Sequence, residues 1–311
     1  LKNYPPFLLE SNRRQERIMS DNNQTCCGTE TRQDHAEHDN HRQSVRDAYS
    51  KVAQANNDDN SCGIESSCCG VSDDGAINTL ISTRLGYSEE ELDKAPSGAD
   101  MGLGCGNPKA IAALQPGEIV VDLGAGGGFD CFLASHEVGE NGHVIGVDMT
   151  PDMLSKARNN AAKGKYTNVE FRLGEIEHLP MADETANVII SNCVINLSPN
   201  KPQVFRDAFR VLKAGGRLAI SDVVATVELP EAMRNDELLI AGCMGNASLI
   251  EDLAQMITDA GFTDIRITPT DESREFIRDW APDHNVTDYV VSAAIEAIKP
   301  GAGCCSGSSC C

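Results

Sequence analysis

The sequence has little positive charge and no long apolar run near its start. It holds 26 Lys and Arg residues against 47 Asp and Glu residues, a formal net charge of -21. Nucleic-acid backbones and anionic membrane surfaces both attract cations, so this balance predicts neither as a partner and favours a small-molecule substrate. Residues 1–20 lack the apolar stretch of a signal peptide or a membrane span, and we expect a cytoplasmic protein.

Cysteine, in contrast, is abundant, with 13 residues. Disulfides rarely persist in the cytoplasm, and adjacent cysteines are poorly placed to bridge each other but well placed to bind a soft ion. Adjacent pairs occur at Cys26–Cys27, Cys68–Cys69, Cys304–Cys305 and Cys310–Cys311, and single cysteines at Cys62, Cys105, Cys131, Cys193 and Cys243. This usage favours soft-ion chemistry over a disulfide framework.

The two ends of the chain differ from its middle. Residues 1–43 are polar without sustained periodicity and are predicted to form a disordered arm. Residues 44–116 form an N-terminal segment with a short helix over 44–54, a loop with Cys68 and Cys69, and helices over 75–83 and after the N-cap Ser88. Residues 301–311 are predicted to be a flexible, cysteine-rich tail.

The middle of the chain alternates short apolar runs with helical stretches. Within residues 117–224, predicted strands cover 118–124, 143–149, 169–174, 186–193 and 215–223, and predicted helices cover 128–138, 151–163 and 200–213. Such alternation predicts an α/β, Rossmann-like domain with a mostly parallel sheet. Residues 225–300 complete the sheet through a helix over 248–262, a strand over 263–269 and a last segment over 289–300, where β-branched residues favour a strand over a helix.

A glycine-rich turn follows the first predicted strand. Gly124, Gly126 and Gly128 form G-x-G-x-G, a spacing that lets backbone amides at a helix N-terminus approach a ligand. Asp148 lies 24 positions beyond Gly124, at the end of the next strand, where an acid can accept hydrogen bonds from ribose hydroxyls. Asp122 disfavours a phosphate and tolerates a cationic ligand, although it could instead cap the turn. The pattern predicts a bound cofactor.

Residues 117–224 resemble the class I S-adenosylmethionine-dependent methyltransferases. The segment LGEIEHLPMAD (173–183) matches the part of those enzymes where an acid meets the adenine amine, which implies that role for Glu175, with Ile176 against the ring. A solvated loop carboxylate is the alternative for Glu175. The cofactor residues that the resemblance and the turn imply together are Asp122, Gly124, Gly126, Gly128, Asp148, Met149, Glu175, Ile176 and Asn192, the last facing the sulfonium.

Three single cysteines are predicted to lie near this cofactor. Cys193 follows the fourth strand at the carboxyl edge of the sheet, where ligands of doubly wound folds bind. Cys243, in IAGCMGNAS, and Cys105, in GLGCGNP, are flanked by glycines that suit close backbone packing. Each cysteine alone could be a small buried hydrophobe, as Cys131 is predicted to be. Together they favour a thiophilic acceptor, because trivalent arsenic bound by three sulfurs keeps a lone pair, whereas four thiolates would close a zinc site.

The sequence also resembles the arsenite methyltransferase family, through SNCVINLSPNK, GCGNP, VIGVDMTPDML, GEIEHLP and the segment 228–243. The resemblance implies that Cys193 and Cys243 are the core arsenic(III)-binding pair, that Cys105 is a third ligand, and that Cys69 (or Cys68) is the fourth catalytic cysteine. Two features depart from the family: Leu103 replaces an aromatic residue, and the loop between Cys69 and Cys105 is long.

The resemblance further implies that arsenite arrives as a thiol complex and that the methylated product is re-reduced through a Cys69–Cys105 disulfide. A cellular thiol reductant of the thioredoxin or glutathione type would restore the two thiols. Because a thiolate binds metalloids better than a thiol, we expect the site to lower the pKa of its cysteines. Two alternatives stay open: a related methyltransferase that acts on carbon, and a thiol-rich protein that sequesters arsenic or zinc.

Overall fold

A computed structural model describes residues 32–55, 74–282 and 284–301. Two compact units are distinguished, residues 1–39 and residues 40–311. The described part of the first unit, residues 32–39, is helical. The cysteine pairs at 26–27, 68–69, 304–305 and 310–311 lie outside the described residues.

The first helix is longer than predicted. It runs as α1 from Arg32 to Ala55, so the prediction of a disordered arm is wrong for residues 32–43. Missing hydrophobic periodicity suggested disorder, but a polar helix can be supported by side-chain pairs one turn apart. Gln43 Nε2 donates to Asp47 Oδ1 at 2.6 Å, and Arg46 Nη1 donates to Gln43 Oε1 at 3.1 Å.

The other N-terminal helices follow the sequence closely. Helices α2 (Asp74–Arg84) and α3 (Glu89–Lys94) confirm the two predicted ones. Ser88 caps α3 in a capping box, since its Oγ accepts from Glu91 N at 3.3 Å while the Glu91 carboxylate accepts from Ser88 N at 2.8 Å. The short α4 (Pro108–Ala112) was not predicted, because five residues are too few for a periodic signal.

A seven-stranded, mostly parallel sheet forms the centre of the fold, as predicted. Its strands are β1 (Ile119–Leu123), β2 (His143–Asp148), β3 (Val169–Leu173), β4 (Ala186–Asn192), β5 (Leu212–Ala225), β6 (Thr263–Thr270) and β7 (Val290–Ile298). The order is β3-β2-β1-β4-β5-β7-β6, with β7 antiparallel to both of its neighbours. The strand alternative for residues 289–300 is therefore correct.

Helices cover both faces of the sheet. They are α5 (Phe129–Val138), α6 (Pro151–Gly164), α7 (Lys201–Val211), α8 (Glu231–Arg234), α9 (Glu237–Ala241), α10 (Ile250–Asp259) and α11 (Arg274–Trp280). Helix α11 was not predicted. The short helices α8 and α9 follow β5, in a region that does not alternate strand and helix as a βαβ unit does. Across the described ranges, no helix has the length and apolar character needed to cross a membrane.

Three larger buried apolar clusters hold these layers together. One fills each face of the sheet. The third lies beyond the carboxyl end of β5 and contains Cys105, Cys193 and Cys243 together with Met244 and Leu239. Parallel strands end at one common edge, so this third cluster adjoins the glycine turn after β1.

Candidate active site

A cavity of about 1080 Å³, open to solvent, lies at the carboxyl ends of β1, β2 and β4. Its lining includes the glycine turn, the ends of the three strands, the segment 99–104, and the part of α1 that carries Val45 and Tyr49. This is the edge at which ligands of doubly wound sheets bind.

The glycine turn is tied to the end of β2. Gly124 N and Ala125 N both donate to Val147 O, at 2.8 and 3.0 Å, and Gly126 N donates to Asp148 Oδ2 at 2.9 Å. Gly128 has φ +90°, and a Cβ there would lie 2.8 Å from Phe132, so this glycine allows α5 to pack closely and does not line the cavity. The predicted Gly124 and Gly126 do line it.

Two buried acids lie at the turn end of the cavity. Asp122, a predicted site residue, accepts a hydrogen bond from Cys131 Sγ at 3.2 Å. Asp130, which was not predicted, accepts from Tyr87 Oη at 2.5 Å. Burial raises the pKa of Asp130 to about 6 and that of Asp122 well above its usual value. An acid in the first turn after a glycine-rich loop was the available signal for Asp130.

The far end of the cavity holds the predicted ribose and adenine residues. Asp148, Met149 and Ile176 line it. Glu175 does not, because its carboxylate pairs with Arg42 Nε at 3.3 Å and with a second arginine on α1. The role of Glu175 at the adenine amine stays a prediction. Glu177 lines the cavity instead and accepts from Ser198 Oγ at 2.6 Å.

Asn192 joins the turn end of the cavity to the first cysteine. Its Oδ1 accepts from Cys105 N at 2.9 Å, and its Nδ2 donates to Gly106 O at 2.9 Å and to Tyr87 Oη at 3.0 Å. Asn192 lines the cavity as predicted, and its hydrogen bonds give it a second task, which is to hold the loop that carries Cys105.

The three predicted cysteines meet beside this cavity. Cys105, Cys193 and Cys243 are 1%, 5% and 2% exposed and are free thiols. Cys105 Sγ and Cys193 Sγ lie within 4.8 Å of each other, and Cys243 Sγ donates to Cys193 O at 2.6 Å. Cys193 faces the cavity and the other two lie behind it. Cys68 and Cys69 lie outside the described residues.

Two further residues beside the cysteines were not predicted. Asp222 Oδ2 accepts from Ile195 N at 2.8 Å, and a carboxylate oxygen of Asp222 lies within 4.8 Å of the sulfurs of Cys105 and Cys193. Burial raises the pKa of Asp222 to about 6. Tyr49 of α1 lines the cavity and donates to Ala241 O at 3.3 Å.

The expectation that this site lowers the thiol pKa is wrong. Burial raises the pKa of Cys105. The neighbouring Cys105 thiol, and then burial, raise the pKa of Cys193, and the neighbouring Cys193 thiol, and then burial, raise the pKa of Cys243. Burial disfavours the charged thiolate, so we expect all three cysteines to be protonated at neutral pH.

Burial of the Cys131 thiol makes the stability of the fold depend on pH in a measurable way. Its pKa is raised well above the usual value, first by burial and then by the charge of Asp122. Because the folded-state pKa is the higher one, this thiol stabilises the fold below about pH 8.5 and loses that contribution as pH rises toward the folded-state value. The loss is about 1.4 kcal/mol per pH unit.

We therefore expect Cys131→Ala to lose stability less steeply than the wild type above about pH 8.5, by about 1.4 kcal/mol per pH unit. Urea unfolding between about pH 8 and 10 measures both slopes. Lys201 and the other thiols are present in both proteins, so their contributions to the pH dependence cancel in the difference. Parallel slopes for the two proteins would show that Cys131 ionises normally in the folded state.

The match to a known domain defines the class of protein. A methyltransferase domain family matches residues 114–261. Together with the strand order and the glycine turn after β1, this match makes the protein a class I S-adenosylmethionine-dependent methyltransferase.

Individual relatives identify the family of methyltransferases to which the chain belongs. The chain is 49% identical to the arsenite methyltransferase of Halobacterium salinarum over 306 residues, which covers 95% of this chain and 74% of that protein. It is 42% identical to the human arsenite methyltransferase over 157 residues, 48% of this chain and 42% of the human protein. The protein belongs to the arsenite methyltransferase family.

A solved structure agrees. CrArsM, an arsenic(III) S-adenosylmethionine methyltransferase from Chlamydomonas reinhardtii, superposes with a TM-score of 0.55 at 32% identity, covering 72% of this chain and 74% of that one. The superposition covers a larger share of the chain than the domain match does.

Proposed function

We propose that this enzyme transfers methyl groups from S-adenosylmethionine to trivalent arsenic bound by Cys105, Cys193 and Cys243. The observation that carries the proposal is the meeting of three buried thiols at the edge of a methyltransferase cofactor cavity, with Cys105 Sγ and Cys193 Sγ within 4.8 Å of each other and Cys243 Sγ 2.6 Å from Cys193 O. A thiophilic acceptor is the one that such a ligand set suits best.

The cavity fits the cofactor that the fold implies. Asp148 can accept hydrogen bonds from the ribose hydroxyls, Ile176 offers an apolar surface for the adenine, and the carboxyls of Asp122 and Asp130 favour the cationic methionine end. When bound, S-adenosylmethionine supplies an electrophilic methyl carbon to the arsenic lone pair. The chain contributes position, and holding both reactants side by side makes the reaction effectively unimolecular.

The raised thiol pKa values suit a trivalent metalloid. Each ligand exchange joins a cysteine sulfur to arsenic and sends the thiol proton away with the departing hydroxide as water, or with a departing thiolate as thiol. Three such exchanges leave a neutral complex, so the buried site need not hold a charge. No general base is required, and the lone pair on arsenic stays available.

We further propose that cysteine oxidation completes the cycle. Methyl transfer leaves a cationic, formally pentavalent arsenic. When a cysteine thiol attacks an arsenic-bound cysteine sulfur, the disulfide forms, the As–S bond breaks with its electron pair left on arsenic, and the proton of the attacking thiol is released, so arsenic returns to the trivalent state on its other two sulfurs. Cys69 with Cys105 is the candidate pair, and a thioredoxin- or glutathione-type reductant would reopen it by exchange. Such a cycle needs a reducing compartment, which supports the cytoplasm as its location, together with the free thiols of the described cysteines.

One assay tests the activity directly. The reduced full chain is incubated with arsenite, glutathione, a thioredoxin system and methyl-labelled S-adenosylmethionine. We expect label in methylated arsenic species in equal amounts to the S-adenosylhomocysteine formed. Bound arsenite without any methylated product would favour sequestration, and label that appears only when a quinone precursor is added would favour the carbon acceptor.

A further inference from the structure

Cys193 and Cys243 lie on two loops that a single side chain connects. Asn196, in the short 3-10 turn after Cys193, is buried, and its Nδ2 donates to Cys243 O at 3.1 Å. The same nitrogen donates to Asp222 Oδ1 at 3.0 Å and to Val223 O at 2.6 Å. One amide therefore joins the loop after β4, the end of β5 and the loop that carries Cys243.

A second connection returns from the Cys243 loop. Asn246 Nδ2 donates to Asn196 O at 2.9 Å and to Ser198 O at 3.1 Å. Lys201, at the start of α7, donates its Nζ to Asn246 O and to Ser248 Oγ, the latter at 2.7 Å. The two loops thus exchange hydrogen bonds in both directions, and the polar groups involved are partly or fully buried.

The backbone at both cysteines needs such support. Cys193 has φ +59° and Cys243 has φ +63°, the left-handed region that residues other than glycine seldom adopt. Strained backbone of this kind persists only where the surroundings determine it, and it is commonly found at functional sites. Asn196 is the one side chain on the Cys193 loop that donates to the backbone of Cys243.

We propose that Asn196 is a positioning residue, which holds Cys193 and Cys243 in register before the metalloid arrives. The inference rests on the proposed function, since it takes these two cysteines as arsenic ligands. A pair of thiols held in place binds one arsenic atom more tightly than two thiols on mobile loops, because less freedom is lost on binding. Loss of the amide should therefore weaken the metalloid site and leave the cofactor cavity intact.

The test compares Asn196→Ala with a matched control, Asn168→Ala. Asn168 also donates its amide to two backbone carbonyls, Ser135 O and Gly139 O, but it lies before the amino end of the edge strand β3, whereas Asn196 follows the carboxyl end of the inner strand β4. Three quantities are measured in the full-length protein: KM and kcat for arsenite, the affinity for S-adenosylhomocysteine, and binding of phenylarsine oxide. The phenylarsine oxide binding assigned to this site is the fraction of the total binding that is lost in Cys193→Ser.

We expect Asn196→Ala to raise KM for arsenite and weaken phenylarsine oxide binding by tenfold or more, with less than a twofold change in cofactor-product affinity. Asn168→Ala should leave all three quantities within twofold. Unchanged arsenical binding in Asn196→Ala, or an equal loss of both ligands, would overturn the positioning role while leaving the proposed function intact. Full phenylarsine oxide binding by Cys193→Ser would instead overturn the cysteine assignment, and the positioning role with it.

Discussion

Replacing Cys193 with serine is expected to abolish arsenite methylation and to remove phenylarsine oxide binding at this site, while the affinity for S-adenosylmethionine stays within about twofold. The Cys193 thiol lies within 4.8 Å of that of Cys105, the backbone oxygen of Cys193 accepts from Cys243 Sγ, and of the three cysteines Cys193 is the one that lines the cofactor cavity. A serine hydroxyl keeps the shape but offers a hard oxygen, which cannot replace sulfur as a ligand of a soft metalloid.

Cys131→Ser is the matched control. Cys131 is a free thiol as deeply buried as Cys193, but its sulfur contacts Asp122 and it does not line the cavity. Arsenical binding by this variant should equal that of the wild type. Label transfer to arsenic by Cys193→Ser at more than a few per cent of the wild-type rate would contradict the assignment of this cysteine.

The fold was predictable because its signals are local. Strands β1 to β5 are short apolar runs separated by helical stretches, and the structure has each of them within a few residues of the predicted bounds. The three cysteines could be anticipated as neighbours for a related reason. Cys193 directly follows the parallel strand β4, and the carboxyl ends of parallel strands meet at one edge of the sheet.

The missing parts of the site depend on contacts between distant segments. Tyr87 and Asp130 are 43 positions apart, and Tyr49 reaches Ala241 across 192 positions. No short window of sequence contains such pairs. The direction of the thiol pKa shift was wrong for the same reason, since it depends on how completely the assembled loops exclude water from the sulfurs.

The glycine turn also contacts the loop that carries Cys193, and no sequence motif indicates this contact. Gly124 has φ +73°, and a Cβ built on it would clash with both methyl groups of Val194, at 2.6 Å from Cγ1. Val194 follows Cys193 in the chain, so the conformation of the glycine turn determines where the loop that carries Cys193 can lie. A single methyl group at position 124 should disturb donor and acceptor together.

Gly124→Ala is accordingly expected to lose both ligands, with affinities for S-adenosylhomocysteine and phenylarsine oxide each reduced by more than about tenfold. The added methyl forces the left-handed backbone to bear a side chain, which costs about 1–2 kcal/mol. It also displaces Val194, whose β-branched side chain has few alternative rotamers. Equilibrium titration of each ligand and thermal unfolding of the variant measure these effects separately.

Gly117→Ala isolates the backbone cost. Gly117 also has a positive φ, +88°, but nothing lies within 4 Å of the Cβ that it would gain, and it precedes β1 at the end of the strand away from the turn. This variant should lose about 1–2 kcal/mol of stability and keep both affinities. If Gly124→Ala loses only the cofactor and keeps arsenical binding, the contact with Val194 does not couple the two halves of the site, and the cysteines are positioned without help from the glycine turn.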